Sequence, residues 1–202
     1  MNVDMRNVGG WTLGLASIWD MRAKLSWEVR LFQEQARNPG IAGPNRRAGD
    51  DQATLFTAMN AFLTGWHMLD WLTFHAKNDD LWASISAAAG CQITDWTTLK
   101  TWVLTHDQMR ICLAICVATK HVSVNDKELK DLNFDVPVHF DFFTPKSLAD
   151  GPMYVVRGVL LRTEKGGIHM TQTVANALAD VENWWDWLLK EAQVPEYGPF
   201  IP

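Results

Sequence analysis

The sequence has little that would commit it to a specialised environment. Its three cysteines, Cys91, Cys112 and Cys116, are an odd number, and the last two stand one helical turn apart in an apolar run. Such a set supplies no disulfide framework, so Cys112 and Cys116 are expected as buried free thiols in a chain suited to a reducing compartment. No basic patch followed by an apolar core opens the chain, and no apolar stretch approaches the roughly 20 residues a membrane span needs. Neither secretion nor membrane residence is expected, and the cytoplasm is the expected location. With 18 Lys and Arg against 23 Asp and Glu, the net charge of -5 excludes a global basic field of the kind used in non-specific nucleic-acid binding. Only a local basic groove stays open to nucleic acid. No H-E-x-x-H occurs and no Gly-rich strand-to-helix turn carries G-K-[ST], so no cofactor is indicated.

What the chain does have is material for a core. Its 202 residues are 48% hydrophobic and include eleven tryptophans, which bundle cores and partner surfaces both use. Ser17 with Asp20 three residues on reads as a capping box opening a helix to about Asn38, and a breaker-rich loop follows to Gly49. Asp50 or Asp51 caps a long second helix to about Lys77, with Leu55, Met59, Phe62, Trp66 and Leu69 at helical spacing. Shorter helices are expected around 80–89 and from Thr94 or Asp95 to about Thr105. Asp107 opens a fourth principal helix to about His121, apolar on every side at its centre and therefore expected to pack directly on the second. From Asp135 the texture becomes alternating and β-branched, Glu164-Lys165-Gly166-Gly167 supplies a turn, and a last helix from about Thr173 to Ala192 carries Val174, Leu178, Val181, Trp185 and Leu188 on one stripe. The fold class is mainly α: one helical-bundle domain over 1–202, with a small β-hairpin insertion at about 136–172 before the C-terminal helix.

Chemistry is sought where polar residues interrupt apolar helix faces. Asp70 falls between Trp66 and Phe74 on the second helix, with His67 on the edge of the stripe, and a carboxylate buried there needs a partner. On the fourth helix Arg110 and His121 are eleven residues apart, which rotates them by only about 20° and separates them by roughly 16 Å. A cluster of His67, Asp70, Lys120 and His121, with Arg110 on the same helix face, is the candidate site. Its ordinary reading is a buried polar link that fixes helix register. A metal held by His67, Asp70 and His121 is a weaker reading, because no comparable ligand motif is present. His75, at the end of the second helix, is expected to be solvated. Gly65 suggests close helix packing or a bend, and Trp184, Trp185 and Trp187 cover so much of the last helix that at least one ring is available to anchor a partner.

The stretch Trp66-His67-Met68-Leu69-Asp70-Trp71, followed by Ala118-Thr119-Lys120-His121 and a Trp-rich last helix after a hairpin, resembles a set of uncharacterised small helical proteins of bacteria and their phages over about residues 18 to 190. That resemblance implies the architecture and singles out His67, Asp70, Lys120 and His121 without implying an activity. A more distant similarity is to the HEPN helical bundles, whose ribonuclease members place an Arg and a His on one helix four to six residues apart. Arg110 and His121, with ten residues between them, depart from that spacing. Two functions compete. The favoured one is a non-catalytic helical binding module for a protein partner or a second copy of the chain. The alternative is an RNA- or phosphate-ester-cleaving enzyme, with His121 as general acid or base, Asp70 orienting a histidine, and Lys120 or Arg110 stabilising developing negative charge.

Overall fold

The computed structural model describes residues 15–37, 48–120, 139–143, 158–165 and 168–196, with side chains placed at 15–36, 53–117 and 173–196. The described residues are mainly helical: α1 Ile18–Arg37, α2 Ala48–Asn78, α3 Trp82–Ala89, α4 Trp96–Val103, α5 Asp107–Lys120 and α6 Val174–Glu191.

Local chemistry sets several of the helix ends. Asp20 Oδ2 accepts from the Ser17 backbone N–H at 2.9 Å while Ser17 Oγ accepts from the Asp20 N–H at 3.1 Å, so the expected capping box opens α1. A second box opens α4, where Asp95 Oδ1 accepts from Thr98 N–H at 2.8 Å and Thr98 Oγ1 accepts from Asp95 N–H at 3.1 Å. Helix α3 stops at Gly90, which takes the left-handed φ of 67° that only glycine adopts without strain. Thr173 caps α6 by accepting from Asn176 N–H at 3.1 Å. Helix α2 begins at Ala48, ahead of the Asp50 or Asp51 cap read from the sequence.

Helix α2 runs through the middle of the bundle, packed against α1, α5 and α6. The direct α2–α5 contact expected from their apolar faces is present, and α5 is buried without interruption from Met109 to Cys116. Gly65 is a point of close approach. A Cβ there would lie 2.8 Å from Val181 Cγ1 of α6 and 3.4 Å from Cys112 Sγ of α5, and Trp185 Nε1 donates to the Gly65 carbonyl at 2.9 Å. Only a residue without a side chain lets three helices meet in this way. The stripe of α6, Val174, Leu178, Val181, Trp185 and Leu188, is buried as its spacing requires. Cys112 and Cys116 are free and buried, and the apolar surroundings push the Cys112 thiol well above its ordinary range, with Cys116 adding to the shift.

Between α5 and α6 the backbone forms β1 His139–Phe143, β2 Gly158–Lys165 and β3 Ile168–Thr173, paired antiparallel in the order β1-β2-β3. Leu161 of β2 stands opposite Phe140 on one side and Gln172 on the other. No helix among the described residues is long and apolar enough to cross a membrane.

Candidate functional site

Of the five residues singled out by the sequence, the side chains of His67, Asp70 and Arg110 are described, and they occupy separate places in the bundle. Asp70 is exposed on the outward line of α2, the line that also carries Lys77 and Phe56, whose side chain is 57% exposed. The expectation of a buried carboxylate is therefore corrected. Ala61, Met68 and Leu72, on the opposite line of the helix, are fully buried, so the core lies on the side of small and flexible residues and away from Asp70. Asp70 makes no hydrogen bond or ion pair to His67 among the described residues. His67 is half-buried, with Nε2 4.0 Å from Cys116 Sγ, which places it against the C-terminal half of α5. Arg110 is buried near the other end of that helix, its Nη1 donating to Asp107 Oδ1 at 3.1 Å. Lys120 ends α5, about 15 Å along the axis from Arg110, and its side chain lies outside the described residues, as does all of His121. Among the described residues no three His, Cys, Asp or Glu side chains are grouped to hold a metal ion.

His75 of α2 is buried, contrary to its expected solvation. Its ring is 0% exposed, Nε2 accepts from the Ile18 backbone N–H at 3.3 Å, and Nδ1 lies 3.0 Å from Asp79 Oδ2. Ile18 is the first residue of α1, so its N–H has no carbonyl partner within the helix. An imidazole with Nδ1–H directed at Asp79 leaves Nε2 as the acceptor for that N–H. His75 thus ties the start of α1 to the end of α2.

A different group stands out at the junction of α4, α5 and α6. His106, in the turn that precedes α5, packs edge-on against Trp102 at 5.0 Å between ring centroids and lies 5.4 Å from Trp184. Trp102 in turn lies 5.8 Å from Trp184 and 6.3 Å from Trp187, tilted by 35° and 40°. Burial of His106 holds its imidazole below its ordinary range, a shift that the nearby Asp107 carboxylate only partly opposes. Its Nε2 and the Trp184 indole N–H are both buried and have no hydrogen-bond partner among the described residues, where the cluster is held by packing. Trp184 and Trp185 point into the bundle, while Trp187 at the rim is 39% exposed.

Compared with protein-family models, curated proteins and solved structures, the chain matches none. Trp102 and His106 were not among the residues singled out by sequence. Their spacing of four residues across a helix end was the available signal, but Trp184 joins them only through the packing of α6 on the α4–α5 junction.

Proposed function

We propose that the chain is a non-catalytic helical binding module whose contact surface centres on Trp187. The observation that carries this reading is a large aromatic ring left 39% exposed while it packs on the half-buried Trp102, which in turn lies against the buried Trp184. Fixing a side chain before association removes an ordering cost of about 0.5–1.5 kcal/mol from binding. Trp27 and Phe56 are more exposed, at 58% and 57%, but neither stacks on another ring among the described residues. The enzyme alternative finds less support, because Asp70 faces solvent and Arg110 sits at the far end of α5 from Lys120. In the same reading the chain is one bundle domain into which a β-hairpin element of about 136–172 is inserted before α6, and its likeness to HEPN bundles is one of architecture.

The test places a photo-crosslinking amino acid at position 187 of the full chain, with position 27 as the control. A single adduct from 187, either a defined protein or a second copy, with none from 27, supports the proposal. Equal adducts from both positions would sink it, as would RNA cleavage by the purified chain that disappears in His67→Ala.

A further inference from the structure

We infer that the Trp187 surface takes a basic peptide segment, with an arginine side chain laid on the exposed indole face; this rests on the binding-module reading above. Asp180, Trp184, Trp187 and Glu191 follow one another at the i, i+4, i+7, i+11 spacing that lines residues along one helix face. Asp180 and Glu191 are exposed, and neither has an ion-pair or hydrogen-bond partner among the described residues. They stand about 10 Å and about 6 Å along the axis on either side of Trp187. A cation over the ring therefore meets an unpaired carboxylate in each direction.

The remaining charges on α6 sharpen the choice. Glu182 and Asp186 are already engaged by Arg22 of α1, so they offer nothing to a partner. Lys190 is exposed on the other flank of Trp187, and Glu196 is exposed just beyond the helix, so the local balance stays negative. Trp27, the other tryptophan exposed among the described residues, has the opposite setting, since it lies between Lys24 and Arg30 on α1. Among common side chains a guanidinium best fits the Trp187 surface. It is weakly hydrated, stacks on an aromatic face, and keeps its N–H donors free at the edge for carboxylates. An uncharged apolar partner would cover Asp180 and Glu191 without pairing them, and a nucleic-acid backbone would be repelled by them.

The test is fluorescence anisotropy of labelled peptides of alternating Arg and Gly, with Lys, Gln or Glu replacing Arg in parallel peptides, titrated with the full chain at physiological salt. The Arg peptide should bind saturably, the Lys peptide more weakly, and the Gln and Glu peptides not measurably. Trp187→Ala should weaken Arg-peptide binding by about tenfold or more, consistent with loss of a partly desolvated cation–π contact. The paired change Asp180→Asn with Glu191→Gln should weaken it to a similar extent, and Trp27→Ala should leave it unchanged. All these positions are exposed, and superimposable thermal melts establish that the variants are folded. Equal binding by Trp187→Ala would show non-specific charge attraction only and overturn the inference. Equal binding of the Gln peptide would show apolar docking and overturn it as well. A crosslinked partner at position 187 with no preference for arginine would sink this inference and leave the binding-module reading standing, whereas no adduct and no peptide binding would sink both.

Discussion

Replacing Gly65 by alanine adds one methyl group at the point where α2, α5 and α6 meet. The new carbon would stand 2.8 Å from Val181 Cγ1, and an unstrained carbon–carbon contact lies at about 3.5–4.0 Å, so the helices would have to separate by about 1 Å. Relief is hard to find nearby. Val181 is fully buried with a stiff χ1, Cys112 Sγ stands 3.4 Å away, and a shift of the Gly65 backbone would strain its 2.9 Å bond from Trp185 Nε1. Overpacking of this kind costs about 1–3 kcal/mol. Exchanging glycine for alanine within a helix returns about 1 kcal/mol. The net expectation is a loss of about 1 kcal/mol, or roughly 2–4 °C in Tm for a chain of this size.

Urea denaturation of the two proteins measures the difference. Adding Val181→Ala to Gly65→Ala should cost less than Val181→Ala costs in the parent, because the new methyl group enters the space left by Cγ1 and the two changes couple. A Gly65→Ala protein more stable than the parent by about 1 kcal/mol would show the propensity gain arriving in full. That result would refute the close three-helix approach.

Asp70→Asn should leave the melting temperature within about 1 °C of the parent, since exposed substitutions without partners are nearly neutral; a drop of several degrees would show that Asp70 is buried after all. His75→Leu keeps the bulk but removes the acceptor for the Ile18 N–H, and a loss of about 1–3 kcal/mol is expected in chemical denaturation; hydrogen exchange at the first turn of α1 should rise with it. His106 makes stability depend on pH. Its imidazole is held below the ordinary 6.5, so the unfolded chain binds the proton more readily, and the contribution present above about pH 6.5 should be lost as the pH falls through and below that value. Comparison of unfolding midpoints from pH 8 to pH 5 with those of His106→Gln checks this, and parallel curves for the two proteins would refute it.

The parts of the fold that were legible in the sequence are those decided within one or two helical turns. Ser17 and Asp20 satisfy each other across three residues, and the inward stripe of α6 repeats at helical spacing because one side of that helix faces water. Helix α2 gives no such direction, being apolar on nearly all sides. Phe62, Trp66 and Leu69 of its expected stripe are buried, but Asp70 beside them is exposed, because the neighbouring helices also close in where the side chains are small, at Ala58, Ala61, Gly65 and Ala76. The same turn of the helix that brings Asp70 into solvent carries His75 inside. His67 and Cys116, 49 residues apart in sequence, meet through the crossing of α2 and α5, which no local pattern specifies.

The polar side chains inside this bundle are used to hold helix pairs in register. Arg22 joins α1 to α6 through Asp186 Oδ1 and Oδ2 at 2.6 and 2.7 Å and Glu182 at 3.0 Å, His75 joins α2 to α1, Lys24 of α1 reaches Thr64 of α2, and the Trp185 indole joins α6 to α2. The Arg22–Asp186 contact is exposed, whereas removing His75 or Trp185 leaves a buried Ile18 N–H or Gly65 carbonyl without its partner, so stability accounts for those two. Trp187 is under no such constraint. It contributes only the outer ring of a stack that Trp102, His106 and Trp184 already close, and leaving 39% of it in water sacrifices apolar burial worth about 25 cal/mol per Å². That exposed area is why the proposed contact surface is placed at the rim of α6 and not at the polar residues of its core.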